Sequence, residues 1–232
     1  MYMKRFLLLL LASTLLPHSA NADILDSWSV EAESTDTRVT TLSDSIIDIV
    51  SPKGMTLWYN EQMNGNTIIE YDARIVVEDN NNEPWNRLSD INCFWMASDT
   101  HRESRNPLEG IPERQGIFVR QYALSLYYVG FGGNHNTTTR FRRYTGDERG
   151  ITNAEYRPTI LSEYTDSAHL LKKNHWYHIR LEQIDGCVRY IIDGETIVEY
   201  QDPIPLTQGY FGFRTTLSHA QIRRFTYIIL PR

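Results

Sequence analysis

The sequence predicts an all-β protein, a sandwich of two antiparallel sheets. Three observations carry this reading. Apolar and polar residues alternate with period two through about ten short segments, which sends successive side chains to opposite faces of a strand. Clusters of Asn, Asp, Gly and Pro separate the segments, as turns require. No segment sustains a helical apolar period between capping residues.

Taken in order, Ser45–Val50 and Met55–Asn60 alternate on either side of Ser51-Pro52-Lys53-Gly54, a turn by its Pro and Gly. Thr67–Glu78 follows Asn64-Gly65-Asn66, where the Asn-Gly step signals a hairpin. Asp79-Asn80-Asn81-Asn82 ends that strand; its side chains suit a turn and also the oxygen ligation of calcium. Ile91–Ala97 and Ile117–Gly130 are the next two runs. Trp176–Gln183, Val188–Ile192 and Thr196–Tyr200 are joined by Asp185-Gly186 and Asp193-Gly194, two tight hairpins in succession. Thr207-Gln208-Gly209 opens the closing runs, Tyr210–Thr215 and Ile222–Leu230. Ser98–Gln115 and Gly146–His169 are long for β connections, and long loops in compact domains often carry function.

The N-terminus reads as a secretory signal peptide over residues 1–22. Lys4 and Arg5 precede the apolar run Phe6–Leu16, and Ser19-Ala20-Asn21-Ala22 offers small residues for cleavage after Ala22. A retained N-terminal anchor is the rival reading. The apolar run is too short to span a bilayer, and no later stretch approaches the ~20 apolar residues a spanning helix needs. A secreted or periplasmic protein is expected, with residues 23–232 forming one domain. The net charge of −6 argues against nucleic acid or an anionic membrane surface as partner. Cys93 and Cys187 would meet an oxidising compartment, so a disulfide and two free thiols are both open.

The chemistry concentrates in Tyr122–Tyr144, two strands joined by a Gly-Asn turn. Tyr127 and Tyr128 offer flat faces to a sugar ring, and Asn134, His135 and Asn136 offer donors and acceptors. Arg140, Arg142 and Arg143 are planar forks that match carboxylates. Strand parity sets Arg140, Arg142 and Tyr144 on one face, with Phe141 and Arg143 on the other. Phe141 suits the core, so the first three are expected to face a groove. Cys93, Trp95 and Ala97 share one face of their strand and Asn92, Phe94 and Met96 the other; Trp95 as a stacking platform and Trp95 as core are both open. His135 or His219, with Tyr144 or Tyr128, is expected to supply acid and base groups. His175 and His178 read as structural, His169 lies beside Leu170-Leu171, and His101 follows Asp99 in the first long loop. Asp90, Asp99, Glu70 and Asp72 are the acidic candidates. No His/Cys spacing marks a metal site, and no cofactor is expected beyond calcium at the Asp/Asn turn.

The run HWYHIRLEQIDGCVRYIIDGETIVEY and the following GYFGFRTTLSHAQIRRFTY resemble the last strands of concanavalin-A-like (laminin-G-like) jelly rolls. GMTLWYN, SDINCFWMASD and LYYVGFGGNHNTTTRFRRY are similar to blocks of a bacterial exported family of unknown function encoded among polysaccharide-degradation genes. That family looks distantly related to 3-keto-disaccharide hydrolase domains. The resemblance implies a two-sheet antiparallel jelly-roll sandwich acting on an oligosaccharide or polysaccharide in its concave groove. The resemblance gives no reaction; from the residues themselves, His135, Tyr144, Arg140, Arg142 and His219 are catalytic candidates, and Asp90, Asn92, Trp95, Tyr128, Asn134 and Arg214 would hold the sugar. The E-x-D-x-x-E motif of jelly-roll endoglucanases is absent. A lyase or hydrolase for an acidic saccharide, a lectin-like binding protein and an adhesion protein are the competing functions.

Overall fold

A computed structural model describes residues 23–231; the expected signal peptide lies outside them. Thirteen strands are formed: β1 Trp28–Ala32, β2 Arg38–Leu42, β3 Ile46–Tyr59, β4 Met63–Asn64, β5 Asn66–Ile75, β6 Ile91–Asp99, β7 Leu124–Gly132, β8 Thr138–Thr145, β9 Ile160–Tyr164, β10 Tyr177–Ile184, β11 Cys187–Ile192, β12 Glu195–Gln201 and β13 Gln208–Leu230. All pairings are antiparallel.

The front sheet runs β9-β8-β7-β6-β13-β3-β1 and the back sheet β12-β11-β10-β5-β13-β3-β2. β3 and β13 belong to both. The C-terminal half of β3 pairs with β13 from Gly212 to Thr216 in front, and its N-terminal half pairs from Ser218 to Arg223 behind. The register shifts between Thr216 and Ser218, so a bulge marks the crossing.

The alternation of the sequence fills the space between the sheets. Trp95, Tyr127, Phe141, Phe211 and Phe213 come from the front sheet, and Tyr71, Ile179, Leu181, Tyr190 and Ile222 from the back. Each is buried, and burying such a side chain contributes about 1.5–3 kcal/mol.

Several boundaries differ from the sequence reading. The two runs flanking Ser51–Gly54 are one strand, as are the two closing runs, because each bends through both sheets instead of turning back. Residues 118–123 form a 3₁₀ turn, and strand begins only at Leu124. β1, β2 and β9 escaped the pattern because they are short edge strands whose residues are mostly exposed or half-exposed. Cys93 and Cys187 are both free. Cys93 lies inside the front sheet, where burial pushes its thiol up to about 12, while Cys187 sits on the back sheet.

Among the described residues no helix is long and apolar enough to cross a membrane. No group of three His, Cys, Asp or Glu among them is placed to hold a metal. Two side chains of the Asp79–Asn82 turn are already engaged: Asp79 pairs with Lys173 at 2.5 Å, and Asn81 accepts from the Glu83 amide.

Candidate functional site

The outer face of the front sheet is half covered. Leu108, Ile111, Phe118 and Val119 pack on a second apolar cluster that includes Trp58, Phe94, Leu126 and Tyr144. One carboxylate pins this covering segment. Glu31, 0 % exposed, accepts from Trp58 Nε1 at 2.8 Å, Arg114 Nη2 at 2.9 Å, the Gly116 amide at 3.0 Å and Gln121 Nε2 at 2.5 Å. A buried charge is tolerated only when so completely satisfied.

Beside the cover the sheet stays open as a pocket of about 420 Å³. Its floor is set by register: Arg140, Gly130, Asn92, Arg214 and Thr56 lie opposite one another across β8, β7, β6, β13 and β3. Gly130 makes room in that row, since a Cβ there would overlap Tyr128 Oη. Arg214 is buried; its Nη1 donates to Thr56 Oγ1 at 3.2 Å and to the Gly116 carbonyl at 3.0 Å, and Phe118 lies 5.0 Å from its guanidinium. Arg142 donates to the Pro158 carbonyl at 2.8 Å. Arg140 forms an ion pair with Glu163 of β9.

The turn between β7 and β8 is left-handed. Gly132, Asn134, His135 and Asn136 have φ of 69°, 51°, 60° and 57°. Asn tolerates this region better than most residues. The side chain of Asn136 clamps the turn, donating to the Leu171 carbonyl at 3.1 Å and accepting from the Leu171 amide at 2.8 Å. Gly132 is required there, because a Cβ would collide with the Leu171 side chain. His135, on the exposed crest, faces Arg87, whose Nη1 lies 2.5 Å from Nδ1.

Four guanidiniums line the pocket, those of Arg87, Arg140, Arg142 and Arg214, against the carboxyls of Asp90 and Glu33. Only Arg140 has a carboxylate of the described residues within 4.0 Å. Glu33 sits 3.8 Å from Lys53. Asp90 is buried and accepts from Ser89 Oγ and, at 3.0 Å, from Asn92 Nδ2. Burial pushes its carboxyl above the usual range, outweighing those bonds and the charges of Arg214 and Arg87.

Unfolded, an aspartate titrates at about 3.9. Because Asp90 titrates higher when folded, the folded chain holds an extra proton between the two values, and stability falls as pH rises through that window. Asp90→Asn is therefore expected to raise the urea midpoint at about pH 7 and to leave it unchanged at about pH 3. An equal midpoint at both pH values would contradict a buried, charge-bearing Asp90.

The structure brings eight of the residues singled out in the sequence to this pocket: His135, Arg140, Arg142, Asp90, Asn92, Tyr128, Asn134 and Arg214. Three others lie elsewhere. Tyr144 has the expected parity but is 0 % exposed beneath the covering segment, against Tyr122 and Tyr128 at 5.4 and 5.6 Å. Burial holds its hydroxyl well above the usual range, so it is no base. Trp95 is core, packed on Tyr127 and Phe141 with its ring inside the sandwich. His219 alternates with the core residues Ala220 and Ile222 and bonds Asp48 at 2.7 Å on the outer face of the back sheet.

The remaining candidates are engaged in pairs away from this pocket. Glu70 meets Arg180 at 3.0 Å, Asp72 meets Arg223 at 3.0 Å and Asp99 meets Arg102 at 3.1 Å. His101 reaches the Gly146 carbonyl at 2.8 Å, and His169 reaches Asp166 at 2.8 Å. Arg143 projects to the core side and bonds Asp202 at 2.6 Å. Sequence reasoning missed Arg87, Glu33, Phe118 and Leu217. Arg87, Glu33 and Leu217 sit in irregular connections or at a bulge, where alternation gives no signal, and Phe118 sits in the 3₁₀ turn that the alternation read as strand.

A family model described as "Domain of unknown function (DUF6250)" matches residues 49–225. The chain belongs to this family. Among curated proteins none matches. The DUF6250 fold is similar to a Bacillus subtilis protein of unknown function with a galectin-like fold, at 17% identity and a TM-score of 0.65 over 88% of this chain and 89% of that one. It is also similar to the carbohydrate-binding module CBM66 from Bacillus subtilis, at 12% identity and a TM-score of 0.53 over 87% and 94%. A third similarity is to the exoplasmic/lumenal domain of VIP36 in its Ca²⁺/Man3GlcNAc-bound form, at 10% identity and a TM-score of 0.56 over 90% and 86%. At such identities these likenesses show the jelly-roll fold.

Proposed function

We propose that the protein is exported and binds an acidic saccharide in the front-sheet pocket. One observation carries this: Arg87, Arg142 and Arg214 converge there without a carboxylate partner among the described residues, in a chain of net charge −6. Guanidiniums that reach a pocket with only neutral partners are matched to carboxylate or sulfate oxygens. The volume, about 420 Å³, falls among small-ligand sites of roughly 300–1,000 Å³. Fold neighbours that bind carbohydrate, and the gene neighbourhood that the sequence resemblance implies, make a sugar the natural bearer of the charge.

A lyase or hydrolase is the second reading, favoured by two groups in the pocket. Asp90 is a carboxyl held above its usual range. Tyr128 has no hydrogen-bond partner for its hydroxyl among the described residues, and burial raises it far enough to stay a proton donor at neutral pH. A lyase needs cations on the uronate carboxylate and groups that move a proton from C5 to the departing oxygen; a hydrolase needs a carboxylic acid like Asp90.

The test is a panel of uronate polysaccharides and their carboxyl-reduced forms, read for binding, unsaturated product and reducing ends. Binding that vanishes on carboxyl reduction is the expected result. Equal affinity for both forms, or for neither, would sink the proposal. Product of either kind, lost in Tyr128→Phe or Asp90→Asn, would establish the second reading; binding without product would dismiss it.

A further inference from the structure

We propose that Arg87 is a positioning residue that fixes His135 as the Nε2–H tautomer, making His135 a hydrogen-bond donor into the pocket and not a base. The second half rests on the saccharide-binding reading above; the first stands on the ligand-free protein.

Arg87 is itself held at three points. Its Nε donates to the Leu217 carbonyl at 3.1 Å, its Nη2 to Ser89 Oγ at 3.0 Å, and its Nη1 lies 2.5 Å from His135 Nδ1. A guanidinium has donors only. Nδ1 must therefore be the acceptor, and a neutral imidazole that accepts at Nδ1 carries its proton on Nε2. The two nitrogens stand on different edges of the ring, so the Nε2–H is directed away from Arg87. His135 lines the pocket, and what it offers a bound sugar is a donor.

The backbone supports a role for this side chain. His135 holds φ of 60° between two Asn residues that are also left-handed, a region that Asn enters readily and other non-glycine residues enter only under strain. Such strain gathers where side chains must be displayed. Asn134 bonds Thr137, one turn away, and Asn136 bonds Leu171. His135 alone uses a partner from the connection before β6.

The test is long-range ¹H–¹⁵N NMR of the histidine rings at about pH 8, above the ordinary histidine value of about 6.5; His135→Gln identifies the signal by its loss. Wild type is expected to show a single Nε2–H pattern. Arg87→Ala should shift it to a mixture of tautomers, and Arg87→Lys should restore part of the preference. An Nδ1–H ring in wild type, or an unchanged ring in Arg87→Ala, would overturn the proposal.

Binding of tri-galacturonate and tri-mannuronate supplies the second readout. Arg87→Ala and His135→Ala should each weaken it several-fold, and the double variant should lose less than the product of the two factors. Independent, multiplicative losses would remove Arg87's action through His135. An Nε2–H ring in a protein that binds neither oligouronate would overturn the proposed function while upholding the tautomer.

Discussion

Glu31→Ala is expected to lower the stability of the fold by about 3–5 kcal/mol. The substitution removes the acceptor for four donors at once and leaves the Arg114 guanidinium, itself buried, without its carboxylate. Arg114 Nη2 would keep only the Pro107 carbonyl at 2.5 Å. The covering segment should then detach before the sandwich unfolds, so protease sites between Ile111 and Val119 should open below the main transition. Glu31→Gln should cost less but not nothing, because its amide nitrogen must face two of the four donors. Denaturant midpoints and limited proteolysis measure both effects. A loss under about 1 kcal/mol, with no new cleavage, would mean the segment is held by its apolar contacts alone.

Arg214→Lys should weaken uronate binding by about ten- to a hundredfold while leaving the fold intact. Lysine keeps the charge but not the fork, and charge-assisted hydrogen bonds of this kind contribute about 1.5–3 kcal/mol, with 1.4 kcal/mol per factor of ten. Arg214 also ties the Gly116 carbonyl of the covering segment to β13, so melting temperature has to be followed alongside affinity. Loss of affinity at an unchanged melting temperature supports the cationic pocket. Unchanged affinity would remove Arg214 from the site and shift the anion to Arg87 and Arg142.

The alternation of the chain carried the fold well wherever a strand has one wet and one dry face. Asn92 against Cys93 and Arg140 against Phe141 separate as period two demands. It failed where burial comes from both sides. Tyr144 and Phe94 have outward parity yet are buried, because the residues that cover them lie in short helical turns that period two does not describe. The pocket was half legible for the same reason. Its floor is strand, and register put Arg140, Asn92 and Arg214 in one row. Its rim is not: Arg87 reaches His135 across 48 positions from a polar connection, and Leu217 contributes a carbonyl at the bulge where β13 changes sheets. His219 misled because a histidine near the chain's end looks the same in sequence on either sheet; only the bend between Thr216 and Ser218 turns it to the far face.

That bend also sets an order of events. β13, the C-terminal strand of the described chain, sits in the middle of both sheets and brings Arg214 to the pocket. Until it inserts, β6 lacks a neighbour on one side in front and β5 on one side behind, and each presents an open edge. A chain emerging from its N-terminus must therefore wait for β13 before either layer closes. Folding should be slow, dominated by pairing between distant segments, and exposed to aggregation in the interval. The pocket comes into being at the same step as the fold, so a chain cut short before Gln208 would have neither.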